Sequence, residues 1–192
     1  MYFKNFPTTI WNRKEMVDIS RRADVLKMVS GDPLSFVPYI IQEGDTIETI
    51  AYNYYGEAEL SWLVAIANDI IDPYADFFKG QQELDRYIAN KYAEEATASL
   101  NPSFALTDRQ IIEWTKNATI TDNIVYYYSR YNENIQVNKK TQLTPQLAAD
   151  EFVALRYYEY ENNINEEKRT INLISDVYVD QIIDEMKTVL ND

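Results

Sequence analysis

No cysteine and no histidine occurs in the 192 residues. Disulfides, thiolate metal sites and cysteine nucleophiles are therefore excluded. So are the Ser-His-Asp and Cys-His arrangements, the usual general base and the commonest ligand of catalytic zinc. Positive charge is scarce as well, with 18 Lys and Arg against 31 Asp and Glu for a net charge of -13. Such a chain repels phosphate backbones, so nucleic acid is not an expected partner. No apolar run approaches the roughly 18 to 20 residues needed to span a membrane, and no membrane association is expected. The opening Met1-Tyr2-Phe3-Lys4-Asn5-Phe6-Pro7 shows no charged leader followed by an apolar stretch, so no secretory signal is expected.

Carboxylates are plentiful, but they suggest little chemistry. Glu94 and Glu95 are neighbours on an expected helix and point in different directions, whereas a glycosidase needs two carboxyls facing one bond from opposite sides. Asp45 with Asp69 is a second pair without better geometry. Asp69, Asp72 and Asp76 suggest calcium, but Ile71 and Pro73 fall where an EF-hand loop needs oxygen ligands. We expect no enzyme, no cofactor and no metal site.

Aromatic side chains are abundant: 16 Tyr, 7 Phe and 3 Trp make up 14% of the chain. They combine apolar area with a polar handle, which suits an interface or a core equally. The stretch 1–37 carries Phe3, Phe6, Ile10 and Trp11 without sustained period and reads as an extended N-terminal arm, docked on a neighbour or folded back on its own core. A short strand at Tyr39-Ile40-Ile41 then leads to Glu43-Gly44-Asp45-Thr46, where Gly44 can turn and Asp45 can cap a helix, with Glu48 placed for a capping box. Ile47, Ile50, Ala51 and Tyr54 share one helical face up to Gly56. A second helix follows from about Glu57 through Leu60, Leu63, Val64 and Ala67, breaking at Asn68-Asp69.

Beyond the Asp72-Pro73-Tyr74 turn, Leu84, Ile88, Tyr92 and Ala96 repeat every fourth residue and predict one helix over 81–97. Thr107-Asp108 opens a helix through Trp114, and the β-branched, tyrosine-rich run 124–131 predicts a strand. Thr144-Pro145 predicts a further helix toward Phe152, Asn162-Asn163 a turn, and the alternation over 169–174 a hairpin or a strand-to-helix passage. Val179, Ile182, Ile183, Met186, Val189 and Leu190 form one stripe of a closing amphipathic helix. The expected class is α+β, divided into the arm 1–37, a module with its following helix at 38–98, and an α+β region at 99–192.

Two resemblances rest on these residues. Tyr39 to Thr46, followed by Ile50-Ala51, Tyr55-Gly56, Leu60, Leu63 and Asn68, resembles the first two-thirds of a LysM domain, a βααβ fold that commonly binds N-acetylglucosamine-containing glycans. Phe77-Phe78-Lys79-Gly80-Gln81 is loosely similar to that family's approach to its closing strand. More of the chain resembles the baseplate wedge protein 53 family of T-even-type contractile-tailed phages: Tyr55-Gly56, Leu60, Trp62-Leu63-Val64, Asn68-Asp69 and Asp72-Pro73-Tyr74, then Tyr158-Glu159-Tyr160-Glu161-Asn162 and the final helix.

The second resemblance implies a structural subunit of the virion's tail baseplate, assembled in the host cytoplasm. There it would contact other wedge proteins and bridge adjacent wedges. Its expected interface residues are Phe3, Phe6, Trp11, Trp62, Tyr74, Tyr158, Tyr160, Ile182 and Ile183. The first resemblance implies the alternative, a peptidoglycan-binding protein with Gly44, Asp45, Thr46 and Asn68 on a sugar. Gly44-Asp45-Thr46 reads more simply as a turn and helix cap, and Trp62 as core or interface packing.

Overall fold

The computed structural model describes residues 7–18, 35–140 and 151–191. Phe3, Phe6 and the helix expected after Thr144-Pro145 lie outside them. The chain forms two compact units, one from residues 1–78 with 168–192 and the other from 79–167. The sequence-based border at 98/99 thus falls inside the second unit.

The first unit begins with a hairpin, β1 (Thr8–Trp11) and β2 (Lys14–Val17), within the stretch read as an extended arm. Trp11 pairs with Lys14, so the loop is only Asn12-Arg13, and both residues have positive φ (52° and 61°). That is the backbone of a type I′ turn, whose twist matches that of the strands it joins. Asn tolerates this region, but the sequence lacks the Asn-Gly pair that usually announces such a turn.

β3 (Phe36–Ile40) leads into a turn where Gly44 sits at φ +90°. α1 (Ile47–Tyr55) follows and stops at Gly56, which is left-handed at φ 80°. The cap of α1 is one residue later than expected: Thr46 and Thr49 form the reciprocal capping box, not Asp45 and Glu48. Asp45 turns back instead, its Oδ2 accepting from the Tyr39 hydroxyl and the Gln42 amide, both at 2.8 Å. A 3-10 turn (Ala58–Leu60) precedes α2 (Ser61–Ala67), and Asp72 caps the short α3 (Pro73–Asp76).

The stretch 77–80, loosely similar to an approach to a closing strand, leads straight into a helix at Gln81. The partner of β3 is β7 (Thr170–Ile174), which pairs antiparallel with it in the register Phe36↔Ile174 to Ile40↔Thr170. The order β3, α1, α2, β7 is therefore interrupted in sequence by the whole second unit. A 3-10 turn (Asp176–Tyr178) then leads to α8 (Val179–Asn191). Leu63 and Val64, adjacent on α2, enter different clusters. Val64 packs with Ile41, Ile50 and Leu173, whereas Leu63 packs with Trp62, Ile174, Ile182 and Met186. That is why α2 reads as apolar over more than one stripe.

In the second unit, α4 (Gln81–Lys91) and α5 (Ala93–Leu100) replace the single expected helix, with the break at Tyr92 (φ −109°, ψ 15°). The expected stripe Leu84, Ile88, Tyr92 and Ala96 is buried nonetheless, against Ile111 and Trp114 of α6 (Asp108–Lys116). Tyr92 is held on two sides: its ring stacks on Tyr157 at 4.3 Å, and its hydroxyl donates to buried Glu161 at 2.6 Å. The sheet has the order β5-β4-β6, from β4 (Ile124–Ser129), β5 (Asn132–Asn138) and β6 (Phe152–Arg156).

β6 runs directly into α7 (Tyr157–Glu167), so Asn162-Asn163 is helical and not a turn. Asn costs up to roughly 0.7 kcal/mol per helical position. The flanking residues of α7 outweigh that cost. Glu161 accepts from Lys91 at 2.7 Å as well as from Tyr92, and Asn165, four residues on, binds both the N–H and the C=O of Lys79 at 2.8 Å.

Candidate protein interface

Only some of the residues expected to meet a partner are on the surface. Trp62 and Ile182 lie in one core cluster, Ile182 at 1% exposure, and Ile183 packs partly against it. The stripe residues Val179, Ile182 and Met186 are thus satisfied within the unit itself, which corrects the expectation that Trp62 and Ile182 face a neighbour. Tyr158 and Tyr160 are half-buried. The Tyr158 hydroxyl accepts from Gln81 and donates to Asp85, with the Lys116 ammonium 3.7 Å from its ring centre.

Trp11 and Tyr74 stand out at 73% and 89% exposure. Trp11 belongs to the hairpin, where Ile10, Met16 and Val17 are exposed too. In the register Thr8↔Val17, Thr9↔Met16, Ile10↔Glu15 and Trp11↔Lys14, Ile10 and Val17 share one face while Trp11 and Met16 share the other. Both faces therefore carry large apolar side chains in water. Ile10, Met16 and Val17 were not among the expected interface residues, because the short strands of a hairpin show too few positions for a period.

The residues of the glycan reading are occupied internally. Asn68 donates to the carbonyls of Val64 and Asn172, each at 2.8 Å, and its Oδ1 accepts from the Asn172 N–H at 2.7 Å. Its side-chain amide thus presents to β7 what a third strand's peptide would, and it fills that edge. On the other edge Pro38 lacks a donor in the middle of β3, and the Gln42 side chain covers the Ile40 carbonyl at 2.9 Å. Such edges resist added strands. Thr46 is spent on the helix cap and Gly44 on the turn. Titration with chitooligosaccharides is expected to give no saturable heat.

Two of the three aspartates of the calcium reading are likewise engaged. Asp76 Oδ2 accepts from the N–H groups of Ile71 and Asp72, and Asp72 Oδ1 from that of Tyr74. Glu94 and Glu95 sit in the first turn of α5, where acidic residues complement the helix dipole.

The model of the base plate wedge protein 53 family of phages matches residues 11–189, nearly the whole chain. The chain belongs to that family. This wedge-family chain is therefore a structural protein of the phage tail baseplate. It is also similar over 38 residues, 20% of its length, to two proteins named as esterases from Mycobacterium tuberculosis, of strains CDC 1551 / Oshkosh and ATCC 25618 / H37Rv. Identity there is 47%, but the match spans only 8% of the length of each esterase. Among the described residues of the wedge-family chain, no helix is long and apolar enough to cross a membrane.

Two phenols of the wedge-family chain report on its packing. Burial first, then the neighbouring Tyr54, pushes the Tyr55 pKa well up, and its hydroxyl donates to the Ile174 carbonyl. Burial first, then the hydrogen bond to Glu161, does the same for Tyr92. Above pH about 10 the unfolded ensemble ionises these phenols while the folded protein holds their protons. The unfolded state then binds fewer protons, so stability present below that pH is lost as pH rises, by up to about 1.4 kcal/mol per pH unit for each phenol. Urea denaturation followed from neutral pH upward is expected to show this fall, and Tyr55→Phe is expected to make it shallower.

Proposed function

We propose that this chain is a non-enzymatic wedge subunit that joins a baseplate wedge and bridges it to the adjacent one, with the hairpin of β1 and β2 as a principal contact. The observation that carries the reading is apolar surface on both faces of that hairpin. A two-stranded hairpin is marginal alone in water, and large aromatic anchors such as Trp11 dominate the energetics of protein interfaces. Tyr74 is a second exposed aromatic suited to the same role. The acidic balance favours partners with basic surface, which steers association and narrows the choice of partner. Assembly in the host cytoplasm, before incorporation into the virion, fits such a subunit.

The interrupted β3, α1, α2, β7 order supports a LysM-like module used as a scaffold, with the second unit inserted before its closing strand. The internal use of Asn68 and Asp45 favours scaffold over sugar receptor.

The test is assembly. Deleting residues 7–18 or substituting Trp11→Ala is expected to leave the circular dichroism spectrum unchanged. Either change should weaken subunit association by about 2 kcal/mol or more, the cost of losing an interface anchor. Baseplates from phage carrying the deletion are expected to accumulate as separate wedges in sedimentation and electron microscopy. Rings that close normally around the deleted chain would show that the hairpin does not bridge.

A further inference from the structure

We infer that a cleft in the second unit, of about 530 Å³, receives a cationic side chain, arginine or lysine, from a partner protein. Its size lies within the range of about 300–1,000 Å³ common to ligand pockets. Three elements build it: Glu95 and Ser99 on α5, Trp114 on α6, and Tyr157 at the start of α7, with Asp122 from the loop before β4 and Lys139 from the turn after β5. Of these residues only Glu95 drew attention in the sequence, as half of a carboxylate pair.

The polar atoms of the cleft select the ligand. The Trp114 indole N–H donates to Ser99 Oγ at 3.2 Å, and the Ser99 hydroxyl donates to Asp122 Oδ2 at 2.9 Å. The chain of donors ends on a carboxylate, so what the cleft offers outward at this end is a charged acceptor. Glu95 adds a second carboxylate at the exposed rim. Tyr157 adds an aromatic wall, and that wall already attracts a cation: the Lys139 ammonium lies 5.6 Å from the ring centre and 3.3 Å from the hydroxyl. Carboxylate acceptors beside an aromatic face are the chemistry of a guanidinium or ammonium site. Trp114 is buried, so its ring face is not open as the stacking platform a sugar would need. In this arrangement Lys139 is the chain's own occupant of a place that an incoming arginine takes over, and the net charge of -13 draws such a side chain in.

The test uses the full chain, with N-acetyl-arginine amide as probe and N-acetyl-glutamine amide as the neutral control, read at the Trp114 indole N–H resonance. Saturable shifts are expected from the arginine probe, with dissociation in the millimolar range of about 1 mM to several mM at low salt, and none from the control. Glu95→Gln and Asp122→Asn are each expected to weaken binding about two- to fivefold, and Lys139→Met to tighten it by a similar factor by removing the competitor. Glu95 is exposed, so its variant keeps the test informative should Asp122→Asn disturb the fold. The absence of saturation, an equal response to the glutamine control, or binding indifferent to Glu95→Gln and Lys139→Met would overturn the assignment. None of these outcomes bears on the hairpin, so the cleft and the wedge-bridging role fail or stand separately.

Discussion

Ile182→Asp is expected to unfold the first unit, with a loss of about 4–5 kcal/mol or more, because it places a carboxylate among Trp62, Leu63, Ile174 and Met186. A small domain holds only about 5–15 kcal/mol in total, so thermal melting should become broad and low, or vanish. Ile183→Asp, one residue on and only partly buried, is expected to cost about 1–2 kcal/mol and leave a cooperative melt. The pair separates two roles for the α8 stripe. If Ile182→Asp melted like the wild type and merely lost a partner, α8 would be an interface helix and the core described above would be wrong.

The second large effect is expected at Glu161. This carboxylate is 4% exposed and accepts from the Lys91 ammonium at 2.7 Å and the Tyr92 hydroxyl at 2.6 Å. Glu161→Ala leaves the buried Tyr92 hydroxyl without its acceptor, a loss of about 3 kcal/mol. Lys91 contributes less, since its side chain is 41% exposed and water can replace the lost partner. Glu161→Gln keeps an acceptor and is expected to cost about half as much. Tyr92→Phe combined with Glu161→Leu is expected to recover part of the loss, as it leaves no buried donor unpaired and the half-exposed Lys91 ammonium turns to water. Urea midpoints of the wild type and the three variants check these losses, and a Glu161→Ala midpoint equal to the wild type would remove the network from the account.

Much of the local structure was legible because local chemistry determines it. Thr107 opens α6, Gly56 ends α1, and the fourfold repeat from Leu84 to Ala96 is buried as its spacing predicts. What escaped the sequence was set from far away. β3 finds β7 more than a hundred residues on, and nothing in Phe36–Ile40 names its partner. The break at Tyr92 and the helical Asn162-Asn163 both depend on α7, whose Glu161 and Asn165 bind the other elements of their unit. The interface shows the same division. Trp62 and Ile182 carried the right chemistry for an interface but are claimed by their own core, and only the three-dimensional register reveals that the hairpin's apolar residues are split between two open faces. Asn68, matched to a sugar-binding motif by spacing, turned out to fill a strand edge.

The most direct measurement places a photo-crosslinking amino acid at position 11, in place of Trp11, and irradiates assembled baseplates before mass spectrometry. The account predicts crosslinks from this position to another baseplate subunit, in wedges and in the closed ring. Crosslinks confined to the chain's own residues, in baseplates that had assembled normally, would contradict the claim that the hairpin is a docking element.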